Sequence, residues 1–371
     1  MEFNNILKGV HHSQSMKRGG LEGDYINLAI GAPDIPPPKD VSEAISNFLS
    51  EGNYKYFNSR GSEKARKNVS TLLGLEVESI DEITLVNGAK FGIYNALNTL
   101  LNTGDAVGLF PPYWLSYPDI NKILGLKTVF FDSHINESND LYYSLEEVKK
   151  SIAENNIRCI IINDPNNPSG QLFDQILFDD LLKFCAEEQI WVIVDEVYKD
   201  LIFEEGKPLT FDIKKFENIV KVGSLSKSLS VPGLRAGYVQ ASKEVISNFN
   251  LINQHISTCI NSLTDYVLGS ILKESFDSYI HETSKVYQRR YELASKILTE
   301  KGYKFFRAYS GFYMLVKVVP KYESGEIAAE ELQKEGVLVT PGKAYGEDFN
   351  DYIRLCLTVN EEMLIKAFLK F

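Results

Sequence analysis

Between about Asp81 and Ala241 the chain alternates short apolar, β-rich runs with segments whose apolar residues recur every three or four positions. The runs are ITLVN (83–87), AVGLF (106–110), KTVFF (127–131), IRCIIIN (157–163), IWVIVD (190–195), NIVKVG (218–223) and RAGYVQ (235–240). They are apolar along their length, not at every second position, as parallel strands covered on both faces are. FGIYNALNTLL (91–101), SLEEVKKSIAE (144–154) and DQILFDDLLKFCAEE (174–188) carry the helical period between them. The alternation predicts an α/β fold: a doubly wound, mostly parallel sheet of about seven strands. Beyond Ala241 the pattern turns to long helices, notably from Phe276 to Lys301, stopped by Gly302. FYMLVKV (312–318), VLVT (337–340) and YIRLCLT (352–358) then predict strands of a smaller α+β unit. The expected division is an N-terminal arm with part of the small domain (1–40), a large domain (41–280) and a small C-terminal domain (281–371). The first forty residues, with Gly31, Pro33 and Pro36-Pro37-Pro38, are expected to be extended and to lie across the domain boundary.

Composition narrows the chemistry. With 371 residues, 44% hydrophobic and 24% charged, the chain is of ordinary globular make-up. A net charge of -11 argues against general affinity for nucleic acid or anionic membrane, so an anionic ligand needs a local site. Cys159, Cys185, Cys259 and Cys356 form no C-x-x-C pair, and His11, His12, His134, His255 and His281 show no ligand spacing beyond one adjacent pair. Neither metal nor disulfide is expected, and reduced thiols fit a cytoplasmic protein. No signal-peptide run opens the sequence and no apolar stretch approaches about 18 residues.

The chemistry-bearing residues gather at predicted strand ends. SLSKSLSVPGLRAG (224–237) places Ser224, Ser226, Lys227 and Arg235 around one strand-to-strand connection. A lysine at an apolar strand end, beside a second cation, has a lowered pKa and can attack a carbonyl as a neutral amine. The same string alone also describes an exposed lysine in a serine-rich loop. Asp195 closes an apolar run, where a carboxylate is costly unless a cation or donor meets it. A protonated pyridine nitrogen would do so, and so would a helix start. Tyr198, three residues on, brings a phenol to the same place or packs. Asn167, in IINDPNNPSG, can donate to a ligand oxygen, although the segment also forms a turn. Gly88, Ala89 and Lys90 open a helix after a strand and offer amides to a phosphate. Trp114 can lie on a flat ring or pack. Arg354, inside an apolar strand, needs a carboxylate, supplied by a substrate or by an internal partner.

Taken together, from about Asn27 to Leu357, these residues resemble the fold-type I pyridoxal-phosphate enzymes, and within them the class I/II aminotransferases. The resemblance implies that Lys227 binds the cofactor aldehyde, Arg235 and Ser224 bind the phosphate beside Gly88-Ala89-Lys90, and Ser226 shares the lysine segment. It further implies that Asp195 pairs with the pyridine nitrogen, that Tyr198 and Asn167 hold the phenolic oxygen, and that Trp114 stacks on the ring. Tyr56, in Y-x-x-x-x-G with Gly61, would cross to the neighbouring subunit's phosphate, which implies a homodimer. Gly31, in G-x-P with Pro33, and Arg354 would meet the substrate carboxylate, with Asn167 also among the substrate-binding residues.

The implied activity is ping-pong transfer of an amino group from an L-amino acid to a 2-oxo acid. A lyase, decarboxylase or cyclase using the same cofactor site is the alternative; a non-catalytic regulator lacks the basic patch it would need. The chain departs from the family pattern at Tyr345, where Phe is usual, and at Ser310, where Gly is usual; both bear on the substrate. No G-x-G-x-x-G or G-x-x-x-x-G-K-[ST] accompanies a strand, against a nicotinamide or nucleotide site.

Overall fold

The computed structural model of the chain describes residues 9–52, 54–137 and 139–371. All seven apolar runs of the first half form strands of one sheet: β1 (Ile83–Asn87), β2 (Ala106–Leu109), β3 (Lys127–Phe130), β4 (Ile157–Asn163), β5 (Trp191–Asp195), β6 (Ile219–Ser224) and β7 (Ala236–Gln240). Their order is β1-β7-β6-β5-β4-β2-β3, and only β7 runs against its neighbours. The continuous apolar pattern has the cause expected. Ile161, Ile193, Val220 and Val222 pack on one face, against Ile93 and Leu97 of helix Ala89–Leu100. Ile160, Ile162, Val192 and Val194 pack on the other, against Phe178, Leu181 and Leu182 of helix Gln175–Glu187. Each such side chain contributes about 1.5–3 kcal/mol by leaving water, so polar residues in these strands are confined mostly to the ends. At the edge, β3 leaves Lys127 and Phe130 exposed.

A second sheet is antiparallel, built from β8 (Lys304–Phe305), β9 (Tyr313–Lys317), β10 (Thr340–Pro341) and β11 (Tyr352–Cys356) in the order β8-β9-β11-β10. Helix Lys273–Glu300 gives Phe276 to the core beside β1 and β7, and Tyr287, Ala294 and Leu298 to the core of this second sheet. The run VLVT divides: Val337 and Leu338 pair in parallel with Ile26 and Asn27, whereas Thr340 pairs with Arg354. Among the described residues no helix is long and apolar enough to cross a membrane.

Of the forty N-terminal residues predicted to form an extended arm, 1–8 lie outside the described residues, and 9–40 depart from that expectation. Helix Gln14–Gly19 is capped by Ser13, whose side chain accepts from the Met16 amide, and Leu28 and Ala29 are fully buried. Six residues are too few for a helical period to show in the sequence, and the burial of Leu28 depends on a strand pairing with residues more than three hundred positions away.

Candidate active site

Strands β1, β4, β5 and β6 all end at one edge of the large sheet, and β7, being antiparallel, begins there. Asn163 lies in register with Asp195, Asp195 with Val222, and Ser224 with Gly237. The residues that follow the strand ends therefore converge, as ligand sites do at the carboxyl edge of open α/β sheets. A cavity of about 470 Å³ opens at this edge. Of the fourteen residues singled out from the sequence, twelve line it; Gly88 lies just behind its wall and Tyr56 lies elsewhere.

Lys227 sits in the short helix Leu225–Ser228, directly after β6, and its Nζ donates to the Gly31 carbonyl at 2.5 Å. Burial lowers this amine from 10.5 to about 8, with the cations Arg354, Arg235 and Lys90 adding to the effect. Asp195 is buried, and no cation pairs with it among the described residues. Its Oδ2 accepts from the Tyr117 hydroxyl at 2.5 Å and its Oδ1 from the Val197 amide at 3.2 Å. Burial pushes its carboxyl from 3.8 up to about 6, against the pull of those two donors.

One wall is cationic. Gly88 has φ 86°, and a side chain there would collide with the Arg235 guanidinium, so glycine lets the cation lie against the start of helix Ala89–Leu100. Lys90 Nζ lies 4.9 Å from the centroid of the Trp114 ring. The Ser224 and Ser226 hydroxyls both donate to the Ala236 carbonyl, at 2.6 and 3.2 Å, bracing β6 against β7.

The opposite wall comes from the second sheet. Arg354 on β11 is 2% exposed and has no carboxylate partner among the described residues. Instead it donates to Asn167 Oδ1 (3.1 Å), Ser15 Oγ (3.1 Å) and the Ala29 carbonyl (2.6 Å), between the rings of Tyr313 and Tyr345. Among the described residues, the internal salt bridge open to it in the sequence is absent. Tyr198 meets Tyr313 hydroxyl to hydroxyl at 2.9 Å, and burial keeps both phenols protonated. Gly31 packs against the Tyr313 hydroxyl so closely that no side chain fits there.

The family described as aminotransferase class I and II matches residues 23–370. The chain belongs to this family. An aspartate aminotransferase of Thermotoga maritima is 31% identical over 349 residues, 93% of this chain and 89% of that protein. Another, from Sulfurisphaera tokodaii, is 29% identical over 359 residues, 94% and 89% of the two chains. Among solved structures, an aspartate aminotransferase from Thermus thermophilus with maleate superposes with a TM-score of 0.91 at 26% identity, covering 100% and 99% of the chains. An aromatic aminotransferase from Pyrococcus horikoshii gives 0.87 at 26% identity, covering 96% and 97%.

Sequence reasoning missed four groups in this aminotransferase's site. Tyr117 was visible only as part of PPYWLSY, and nothing there marks it as the partner of Asp195. Tyr313 is one more aromatic in a β run. Asn163, which accepts from the Asn167 amide at 2.8 Å, reads as a strand end. Ser15 belongs to the unforeseen helix, 339 residues from the arginine it touches.

Proposed function

We propose that this aminotransferase uses pyridoxal 5′-phosphate to move an amino group from an L-amino acid to a 2-oxo acid, with Lys227 as the amine that joins the cofactor. The observation that carries the reading is a buried Asp195 with no cation beside it among the described residues, lining the same cavity as an amine brought down to about 8. The residues fit the group: a protonated pyridine nitrogen supplies the cation Asp195 lacks, and Arg235 with the amides after Gly88 forms an anion cradle. Ser224 and Ser226 join that cradle only by turning their protons away from the Ala236 carbonyl. Tyr198 and Asn167 would hold the phenolic oxygen, and Trp114 would cover the ring. The large unit, 41–280, supplies these groups; the smaller, 281–371, supplies Arg354.

When bound, the cofactor provides an electron sink for charge that develops at the substrate's α-carbon. Lys227 Nζ would take the α-proton and give it back on the far side of the substrate nitrogen, two atoms away, a role that needs a neutral amine at working pH. Asp195 keeps the sink cationic, and Arg354 fixes the α-carboxylate. Borohydride treatment followed by peptide mass mapping should place a pyridoxyl group on Lys227; an unmodified Lys227 peptide from active enzyme sinks the reading.

The lowered amine gives a pH signature. Below about 8 Lys227 is mostly protonated and cannot attack, so the rate at which apo-protein takes up pyridoxal phosphate should rise with pH and level off above about 8. An ordinary lysine would keep rising beyond 10. Stopped-flow absorbance across pH 6 to 10 reads the midpoint.

The donor we propose is acidic. Four cations line the cavity among the described residues: Lys90, Lys227, Arg235 and Arg354. With the last three engaged by aldehyde, phosphate and α-carboxylate, Lys90 Nζ is left for a second carboxylate, and the aspartate aminotransferases among the relatives support that choice. Lys90→Ala should raise KM for aspartate about tenfold or more, the worth of a hydrogen bond to a charged group, and leave KM for alanine within twofold. Steady-state kinetics with both donors decides it.

Tyr56 is 85% exposed and stands off its own cavity, which supports a homodimer in which it serves the neighbouring site. The four free thiols support a cytoplasmic setting.

A further inference from the structure

The hydrogen-bond inventory of Arg354 leaves no room for a substrate carboxylate as the side chain now stands. A carboxylate held by two parallel bonds uses Nη2 together with either Nη1 or Nε. Both Nη2 protons are already engaged, one by Ala29 O at 2.6 Å and one by Ser15 Oγ at 3.1 Å. Nη1 has one acceptor, Asn167 Oδ1, and Nε is buried with none. The arginine therefore has spare donors on both sides of a fully occupied nitrogen, and one occupant must yield.

The two occupants are not equivalent. The Ala29 carbonyl belongs to a fully buried residue and also accepts from Thr340 Oγ1 at 3.2 Å, so it is fixed by a second partner. Ser15 sits on the six-residue helix Gln14–Gly19, tied to the body by Arg18 to Ala329 O and Gln333, and by Asn27 to Gly19 O. Its hydroxyl also has somewhere else to go. Tyr345 Oη lies 3.4 Å from Ser15 Oγ and is buried beside the guanidinium. Tyr345 is the position where the sequence departs from the Phe of its family, and Phe has no hydroxyl to offer.

We propose that Ser15 and Tyr345 are positioning residues for substrate binding: Ser15 Oγ holds the Arg354 Nη2 position until an α-carboxylate displaces it, and Tyr345 Oη takes over the displaced hydroxyl. This rests on the reading of Arg354 as the carboxylate arginine. Ser15 then competes with substrate, and Tyr345 lowers the cost of moving it aside. Both act on binding and neither acts on proton transfer, so their effects fall on KM and leave kcat nearly unchanged.

Calorimetric titration of the holoenzyme with maleate, an unreactive dicarboxylate, tests this without turnover. Ser15→Ala should tighten maleate binding about three- to tenfold, the net worth of one ordinary hydrogen bond. Ser15→Thr, which restores a hydroxyl, should return it toward the native value. Tyr345→Phe should weaken binding about threefold in the native background and have no effect once Ser15 is alanine. The donor's KM should follow the maleate constant in each variant. Unchanged or weaker maleate binding in Ser15→Ala overturns the proposal, as does a Tyr345→Phe effect that persists without Ser15. If Arg354→Lys leaves maleate binding unaltered, it is the assignment of Arg354 that fails, and the role of Ser15 with it.

Discussion

Lys227→Ala is expected to lower kcat roughly 10⁴-fold, the upper range for one positioned proton-transfer group, with the protein still folded. The lysine does two jobs that no neighbour can take over. In the proposed reading it is the amine that joins the cofactor's carbonyl, and burial lowers it to about 8, close to working pH, as a base for the α-proton requires. Of the other basic groups around the cavity, Lys90 is assigned in that reading to a second carboxylate, Arg235 to phosphate and Arg354 to the α-carboxylate, and the two arginines cannot deprotonate in any case. Lys227→Arg is the sharper control: it keeps a cation of similar length but removes the neutral form, so it should be as inactive as alanine. Folding should survive both changes, because Lys227 contributes a single hydrogen bond, to Gly31 O, at the cost of burying an ammonium. Turnover of aspartate with 2-oxoglutarate, compared with the thermal midpoint of each variant, separates lost chemistry from lost structure. A Lys227→Ala protein with more than about one hundredth of native kcat would remove the residue from the mechanism.

How much of this was legible in the sequence follows from how local each feature is. The seven strands of the large sheet could be read because burial on two faces leaves a continuous apolar run, and β4 and β5 match their runs within one residue. Lys227, Asp195, Tyr198 and Asn167 could be read because each closes a strand or follows its end within a few positions, so the sequence neighbourhood already carries the geometry. Ser15, Tyr117 and Tyr313 could not, since each reaches the site by tertiary placement and sits in an unremarkable local string. Arg354 falls between. Its need for an anion was plain from an apolar strand, but whether that anion was internal depended on which acids came near, and among the described residues none did. VLVT shows the limit of pattern: three apolar residues and a threonine read as one strand, while the pairing breaks at Val339 and divides them between two partners.

Asp195→Asn should lower kcat about 10² to 10³-fold, the loss seen when one preorganised electrostatic contact to developing charge is removed, while making the apo-protein more stable at neutral pH. The amide can keep both contacts of the carboxylate, its oxygen accepting from the Val197 amide and its nitrogen donating to Tyr117, so the shape of the site survives and only the charge is lost. The stability effect follows from the direction of the pKa change. A carboxyl raised from 3.8 to about 6 is favoured in its protonated form by the fold. Its contribution is therefore fully present below about 3.8 and is lost as pH rises to about 6 and beyond, leaving a cost of about 3 kcal/mol at pH 7. Asparagine does not incur that cost, so the apo variant should melt above apo native protein at pH 7, with the gap closing as pH falls toward 4. With cofactor bound the order should reverse, because the ring cation that Asp195 was missing now stabilises the native carboxylate and finds only an amide in the variant. Differential scanning calorimetry of both proteins, with and without pyridoxal phosphate at pH 7 and pH 4.5, reads all of these relations. A native apo-protein that already melts above the variant at pH 7 would mean that Asp195 is satisfied without a cofactor.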